Sequence, residues 1–183
     1  MGQYYSVYIK TKNEISCTTT PYGFKLMEQV GWNNPFTNHI ASLLHHTKRR
    51  IAWIGDYADN DDIRAKIIAK DPAISIHDME FAKRFHMDKE TLEWGNYRLD
   101  NKFLVNHDKK IFFDLSRYKE ENKNCLCHPL PLLTAIGNGR GGGDYCGINE
   151  NLIGNWTWDV LEILEKPPTN PQYKEIIFFF EEE

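Results

Sequence analysis

His128-Pro129-Leu130-Pro131-Leu132-Leu133-Thr134-Ala135-Ile136-Gly137-Asn138-Gly139-Arg140-Gly141-Gly142-Gly143-Asp144-Tyr145 is the stretch on which the reading of this chain turns. Its first half is apolar and reads as a strand from Pro129 to Gly137, buried in the core. Its second half holds five of the chain's twelve glycines, between positions 137 and 143. A glycine cluster costs conformational entropy, so a fold keeps one where the backbone needs φ > 0 or approaches something closely. Successive N–H groups in such a loop form a concavity for an anion, and Arg140 adds a bidentate donor. Gly137, Asn138, Gly139, Arg140, Gly141, Gly142 and Gly143 are therefore candidate ligand-binding residues. The order Gly-Asn-Gly-Arg-Gly-Gly approaches the dinucleotide fingerprint, but Gly147 and Asn149 argue against the helix that should follow it. No Gly-Lys-Ser/Thr closes a Walker loop. The competing reading is a wide turn between two strands that holds no ligand.

Working outward, Tyr4–Ile9 and Glu14–Thr19 are rich in Tyr, Val, Ile and Thr and read as a first hairpin turning at Lys10–Asn13. A short helix begins near Phe24 and stops at Gly31. Asn34 is a good N-cap, Pro35 suits a first helical turn, and Phe36, Ile40, Leu43 and Leu44 share one apolar face. Lys48, Arg49 and Arg50 close that helix at its negative end. His39, His45 and His46, on or near it, read as surface histidines, because no carboxylate at metal-ligand spacing accompanies them. Arg50–Ile54 is a buried strand ending on Gly55-Asp56-Tyr57, which Gly143-Asp144-Tyr145 echoes. A helix over Ile63–Lys70 and a second over His77–Phe85 are expected. Residues 102–106 and 110–115 form a second hairpin around His107-Asp108-Lys109. Lys119–Asn124 reads as a surface loop, and Asn155–Ile163 and Tyr173–Phe180 as strands. The class is α+β: a mixed, mainly antiparallel sheet with two or three helices, in one domain over residues 1–183.

Composition narrows the function. A formal charge of −4 argues against a nonspecific nucleic-acid binder. No apolar run approaches the ~20 residues of a membrane helix, and no leader-like segment precedes residue 20, so no membrane partner and a cytoplasmic location are expected. Cys17, Cys125, Cys127 and Cys146 then read as reduced thiols. Cys125, Cys127, His128 and Cys146 offer four soft ligands, but C-x-C is tighter than zinc sites use, so no metal and no cofactor are assigned.

Gly2-Gln3-Tyr4-Tyr5, Gly23-Phe24-Lys25-Leu26-Met27-Glu28, Trp53-Ile54-Gly55-Asp56-Tyr57-Ala58 and His128–Ala135 with its glycine loop together resemble a family of small uncharacterised proteins of bacteria and their phages. The likeness covers most of the chain and is poorest over 59–100. It implies a single cytosolic domain and a place in phage–host conflict, and it carries over no catalytic residue.

Three functions follow. The first is binding of a small anion, a nucleotide foremost, with phosphate on the glycine loop and a base on Trp53, Tyr57, Tyr145 or Trp156. In a phage setting such a protein would sequester a nucleotide immune signal. The second is an enzyme, a phosphodiester or glycosidic hydrolase, with Asp56 and Asp144 as acid/base groups or metal ligands and His128 as proton carrier. The third is a protein-binding inhibitor of a host or defence enzyme, acting through the acidic Glu181-Glu182-Glu183 tail and surface.

Overall fold

The computed structural model describes residues 2–12, 14–20, 23–86, 97–122 and 127–180. Its frame is one mixed sheet whose strands lie in the order Lys83–His86, Ile15–Thr19, Tyr5–Lys10, Arg49–Gly55, Val160–Leu164, Phe103–Asn106, Ile111–Asp114 and Lys174–Glu175, with Ala135–Ile136 off this path against Arg49–Gly55. The expected first hairpin is β1 (Tyr5–Lys10) and β2 (Ile15–Thr19), paired antiparallel with Val7 opposite Thr18. β1 alternates buried and half-buried residues, so Tyr5, Val7 and Ile9 face one core. β3 (Arg49–Gly55) is buried at each of its last five positions, which marks a central strand covered on both faces. Ile51 and Trp53 join the larger core, and Ala52 and Ile54 the smaller one behind the sheet.

β4 (Lys83–His86) runs parallel to β2, and β7 (Ala135–Ile136) parallel to β3. The second hairpin is β5 (Phe103–Asn106) and β6 (Ile111–Asp114), as its turn residues indicate. β8 (Val160–Leu164) joins β3 to β5, and β9 (Lys174–Glu175) adds a short parallel edge to β6. Antiparallel pairings outnumber parallel ones, and the α+β class holds.

Among the described residues six short α-helices stand where two or three were expected, several of them single turns. α1 (Leu26–Gln29) and α2 (Pro35–Ser42) cover the larger core; Asn34 caps α2 by accepting from the Thr37 N–H at 3.0 Å. Lys48, Arg49 and Arg50 do not close α2; Arg49 and Arg50 open β3. α3 (Asn60–Ile63) runs into a π-turn (Arg64–Ile68), and α4 (Ile76–Glu80) is capped by Ser75; Ile67 and Met79 seal the smaller core. The second expected helix is thus one short piece, and β4 replaces its end. α5 (Leu115–Glu121) occupies part of the expected 119–124 loop. Asn122 behind it is buried, donating to the Tyr118 carbonyl and accepting from the Phe180 N–H; residues 123–126 lie outside the described residues.

The largest correction concerns the opening stretch. Pro129–Thr134 is a helix, α6, and only Ala135–Ile136 is strand. His128 caps α6 by accepting the Leu130 N–H on Nδ1 at 3.1 Å. Both prolines sit in the first turn, where helical N–H groups have no intrahelical acceptor to lose. Every residue of α6 is buried, against β3, α1 and α2, so no amphipathic period was available to announce it. Residues 155–159 are turn rather than strand, with Trp158 in the left-handed region at φ 59°. The last strand is confined to Lys174–Glu175.

Candidate functional site

The glycine loop follows β7 and folds back on itself. Gly137, Gly139 and Gly143 have φ of 97°, 86° and 82°, which explains glycine at those positions. The loop does form a nest of N–H groups, and its anion is the chain's own. Gly139 and Gly141 both donate to Asp144 Oδ2 at 3.0 Å, and the Tyr5 hydroxyl donates to Oδ1 at 2.8 Å. Gln3 Nε2 also donates to this carboxylate, at 3.2 Å to Oδ2, and to the Gly137 carbonyl at 2.7 Å. Burial first, and then the Asp144 carboxylate, push the Tyr5 phenol well above its ordinary range, so it serves as a donor. Asn138 and Tyr145 close the loop by exchanging side-chain and backbone bonds at 2.8 and 3.1 Å. The carbonyls of Gly142 and Gly143 accept from the Gln3 and Met27 N–H groups.

Arg140 is also engaged. It pairs with Asp59 at 2.7 Å and Asp62 at 3.1 Å, two acids from the start of α3. The Asp59 hydrogen bond, with Asp62 beside it, raises the guanidinium further, and the same contact lowers Asp59. Where a phosphate was expected on Gly137–Gly143 and Arg140, Asp144 occupies the nest in this structure and the α3 acids pair with the arginine.

The other sequence candidates divide by burial. Trp53 is fully buried and its indole N–H donates to Gln29 Oε1 at 2.8 Å; Trp156 is packed on Phe113 in the core. Tyr145 is buried with its hydroxyl 2.6 Å from the Ile148 and Phe180 carbonyls. These three rings present no face to a base. Tyr57 alone of the four is open, at 40% exposure. His128 is 1% exposed, and burial pushes its imidazole down to about 3, so it is a neutral cap rather than a proton carrier. Asp56 is exposed but extends the β1–β3 ladder, accepting the Tyr4 N–H at 3.0 Å and donating its own to the Tyr4 carbonyl. Asp144, with its donors met on both oxygens, is not arranged as Asp56's acid/base partner.

The residue that sequence reasoning missed here is Gln3. It is fully buried between Gly55, Gly137 and Gly141: a Cβ on Gly55 would collide with its amide, and one on Gly141 would lie 2.7 Å from its Cβ. Its Oε1 also accepts the Tyr57 N–H at 3.3 Å. Two of the glycine-bearing motifs, Trp53–Ala58 and the glycine loop, converge on this one side chain, which belongs to a third. The signal was present in the Gly2-Gln3-Tyr4-Tyr5 motif, but nothing local says that a glutamine will be a hub.

The charged opening in the structure lies elsewhere. A basin of about 690 Å³ is lined by Lys10, Lys12, Lys48, Arg49 and Arg50, with Glu14 the one carboxylate in its wall. Lys10 pairs with Asp71, Arg50 with Asp108 at 2.8 Å, and Arg49 donates to the Leu43 carbonyl. Among the described residues no carboxylate pairs with Lys12 or Lys48. A second hollow, about 490 Å³, shares Lys10, Lys12 and Glu14 as a wall and carries Phe81, 73% exposed and stacked on His77. Beside the basin, His107 bridges Glu162 at 2.8 Å and the Tyr173 hydroxyl at 2.7 Å. The His107 backbone N–H donates to the carbonyl of Val160, which lines the basin. Burial lowers His107, with Lys48 and Lys110 acting in the same sense and Glu162 opposing.

Cys127 is buried, Cys146 is exposed, and Cys125 lies outside the described residues, as does the Glu181–Glu183 tail. Among the described residues Cys127, His128 and Cys146 do not converge to a distance at which they would share an ion. No helix among them is long and apolar enough to cross a membrane. No family model, curated protein or solved structure matches the chain.

Proposed function

We propose that the chain binds a small phosphate-bearing anion, a nucleotide foremost, in the basin between the β1–β2 turn and the start of β3. One observation carries this reading: five cations face one carboxylate in a single concavity, although the chain as a whole carries −4. Concentrated positive charge in a cleft attracts and orients anions, and arginine adds directed donors. The adjoining hollow supplies what the glycine loop lacks, an open aromatic face: a base stacked on Phe81 would leave its phosphates beside Lys10 and Lys12. A protein that holds such an anion without converting it removes it from solution, in keeping with the resemblance to bacterial and phage proteins.

Calorimetric titration with a nucleoside triphosphate, inorganic pyrophosphate and the uncharged nucleoside tests this. Both phosphates bind, more weakly as salt rises, and the nucleoside does not. Phe81→Ala weakens the triphosphate and spares pyrophosphate. Equal binding of the uncharged nucleoside, or no binding of either phosphate, would overturn the reading.

A second reading, phosphodiester hydrolysis, is favoured by the His107 bridge between a carboxylate and a phenol, an arrangement that orients an imidazole for proton transfer. It predicts turnover of a bound phosphodiester that His107→Asn removes without loss of binding. The Asp56–Asp144 version is not supported, since both carboxylates are held by backbone and side-chain donors.

A further inference from the structure

Two histidines follow α2, and the structure supplies the carboxylate partner that their spacing in the sequence did not show. His45 Nε2 lies 3.6 Å from Glu165 Oε1, and one donor atom each of His45, His46 and Glu165 fall within 4.8 Å of one another. Neighbouring residues ordinarily point apart; here His46 adopts φ 51°, and the two imidazole centroids come within 4.3 Å at 35°. A left-handed backbone is uncommon on a non-glycine residue, so its persistence beside a cluster of donors is itself informative.

The backbone holds both sides in register. The His46 N–H donates to the Ile163 carbonyl at 3.0 Å, and the Ile163 N–H to the Leu44 carbonyl at 2.9 Å. Glu165, just past the end of β8, is thus fixed next to the histidine pair. Two buried polar atoms here have no hydrogen-bond partner among the described residues, His45 Nε2 and the hydroxyl of Tyr97, whose ring lies 5.4 Å from that of His45. A buried ring nitrogen without a partner ordinarily costs stability, which a bound ligand would relieve.

From these contacts we infer that His45, His46 and Glu165 form a binding site for a divalent transition-metal ion. Two imidazoles and a carboxylate suit zinc or iron(II) rather than calcium or magnesium. At ordinary zinc–ligand lengths, donors in a tetrahedral shell stand about 3.4 Å apart. The His45–Glu165 separation is already close to that, and the 4.8 Å limit requires only a modest closing by His46 and Glu165, both exposed. Three protein donors leave a coordination position open, and Thr47 and Lys48 of the anion basin are the next residues in the chain. The competitor is Lys102, whose ammonium lies 3.9 Å from the same Glu165 oxygen and must yield it to the metal.

The test uses the full chain, stripped with a chelator and titrated with zinc chloride against a chromophoric zinc indicator. One zinc per chain is expected, with affinity in the micromolar range or better. His46→Gly removes a donor while suiting the left-handed backbone, and Glu165→Gln removes the carboxylate; each should weaken zinc at least tenfold with melting in metal-free buffer nearly unchanged. Lys102→Ala should tighten it, because the competing cation is gone. Cys146→Ser should have no effect. The inference is overturned if zinc does not bind, if His46→Gly and Glu165→Gln bind as wild type does, or if binding is lost only in Cys146→Ser.

Discussion

Around the glycine loop, donors cluster and the chain supplies their acceptors: Asp144 takes the Gly139 and Gly141 N–H groups, and Asp59 and Asp62 take Arg140. At the basin, donors cluster and the chain does not keep pace, with Lys12 and Lys48 unpaired among the described residues and Glu14 alone in the wall. A glycine-rich nest beside an arginine looks in sequence like a binding site because the same groups serve either purpose. What decides is whether an internal acceptor has already arrived. The loop is a clasp that fixes the N-terminal segment to the sheet through Gln3, and the basin is the surface at which we propose that an outside anion binds.

That contrast breaks most visibly under acid. His128 lies in the core at the start of α6, with its pKa pushed down to about 3 by burial. An unfolded histidine binds its proton near pH 6.5, so between pH 6.5 and 3 the unfolded chain holds a proton that the folded chain refuses. Stability contributed by this site is complete above pH 6.5 and falls by about 1.4 kcal/mol per unit as pH drops through that window. Urea titrations across it should show a flatter slope in His128→Asn, whose amide retains the cap; an unchanged slope would remove His128 as the cause. Next in size, Asp144→Ala strands the Tyr5, Gln3, Gly139 and Gly141 donors and should cost about 3 kcal/mol in chemical unfolding. Anion affinity should stay as in wild type, and a loss of affinity without loss of stability would return the loop to the role of binding site.

Gly141→Ala sharpens the same point. Its Cβ would sit 2.7 Å from Gln3 Cβ and 2.8 Å from the Gln3 nitrogen, contacts worth about 2 kcal/mol of overpacking. The expected readout is a lower melting temperature with no change in ligand affinity. On the open side the pattern reverses: Lys48→Glu should weaken pyrophosphate about tenfold while melting stays within error of wild type. Smallest of all is Arg140→Ala. Its ion pairs are exposed, and neither pyrophosphate affinity nor melting should move measurably.

How much of this was legible in the sequence follows from how local each signal is. Both hairpins, the Asn34–Pro35 helix start and the Ile51–Ile54 strand declare themselves within a few residues, by alternation, turn chemistry and capping. The Pro129–Thr134 run does not, since an apolar segment buried all round has neither period, and its length suits a strand as well as a short helix. The prolines beside a cap-competent His128 were the available clue. The loop misled for a different reason. Gly, Asn, Arg and Asp are each read correctly as donors and acceptors, but their mutual satisfaction depends on Gln3, Asp59 and Asp62, more than 70 residues away in sequence. The basin is equally nonlocal, because Lys10 and Lys12 meet Lys48–Arg50 only through the β1–β3 pairing.

The central claim, that outside anions meet the basin and not the glycine loop, is tested most directly by following backbone amide resonances during titration with inorganic pyrophosphate. The amides of Lys12, Thr47, Lys48 and Arg49 should shift with a common saturating dependence, while those of Gly139 and Gly141, committed to Asp144, stay where they are. Movement of the two glycine amides with the basin unmoved would contradict the account.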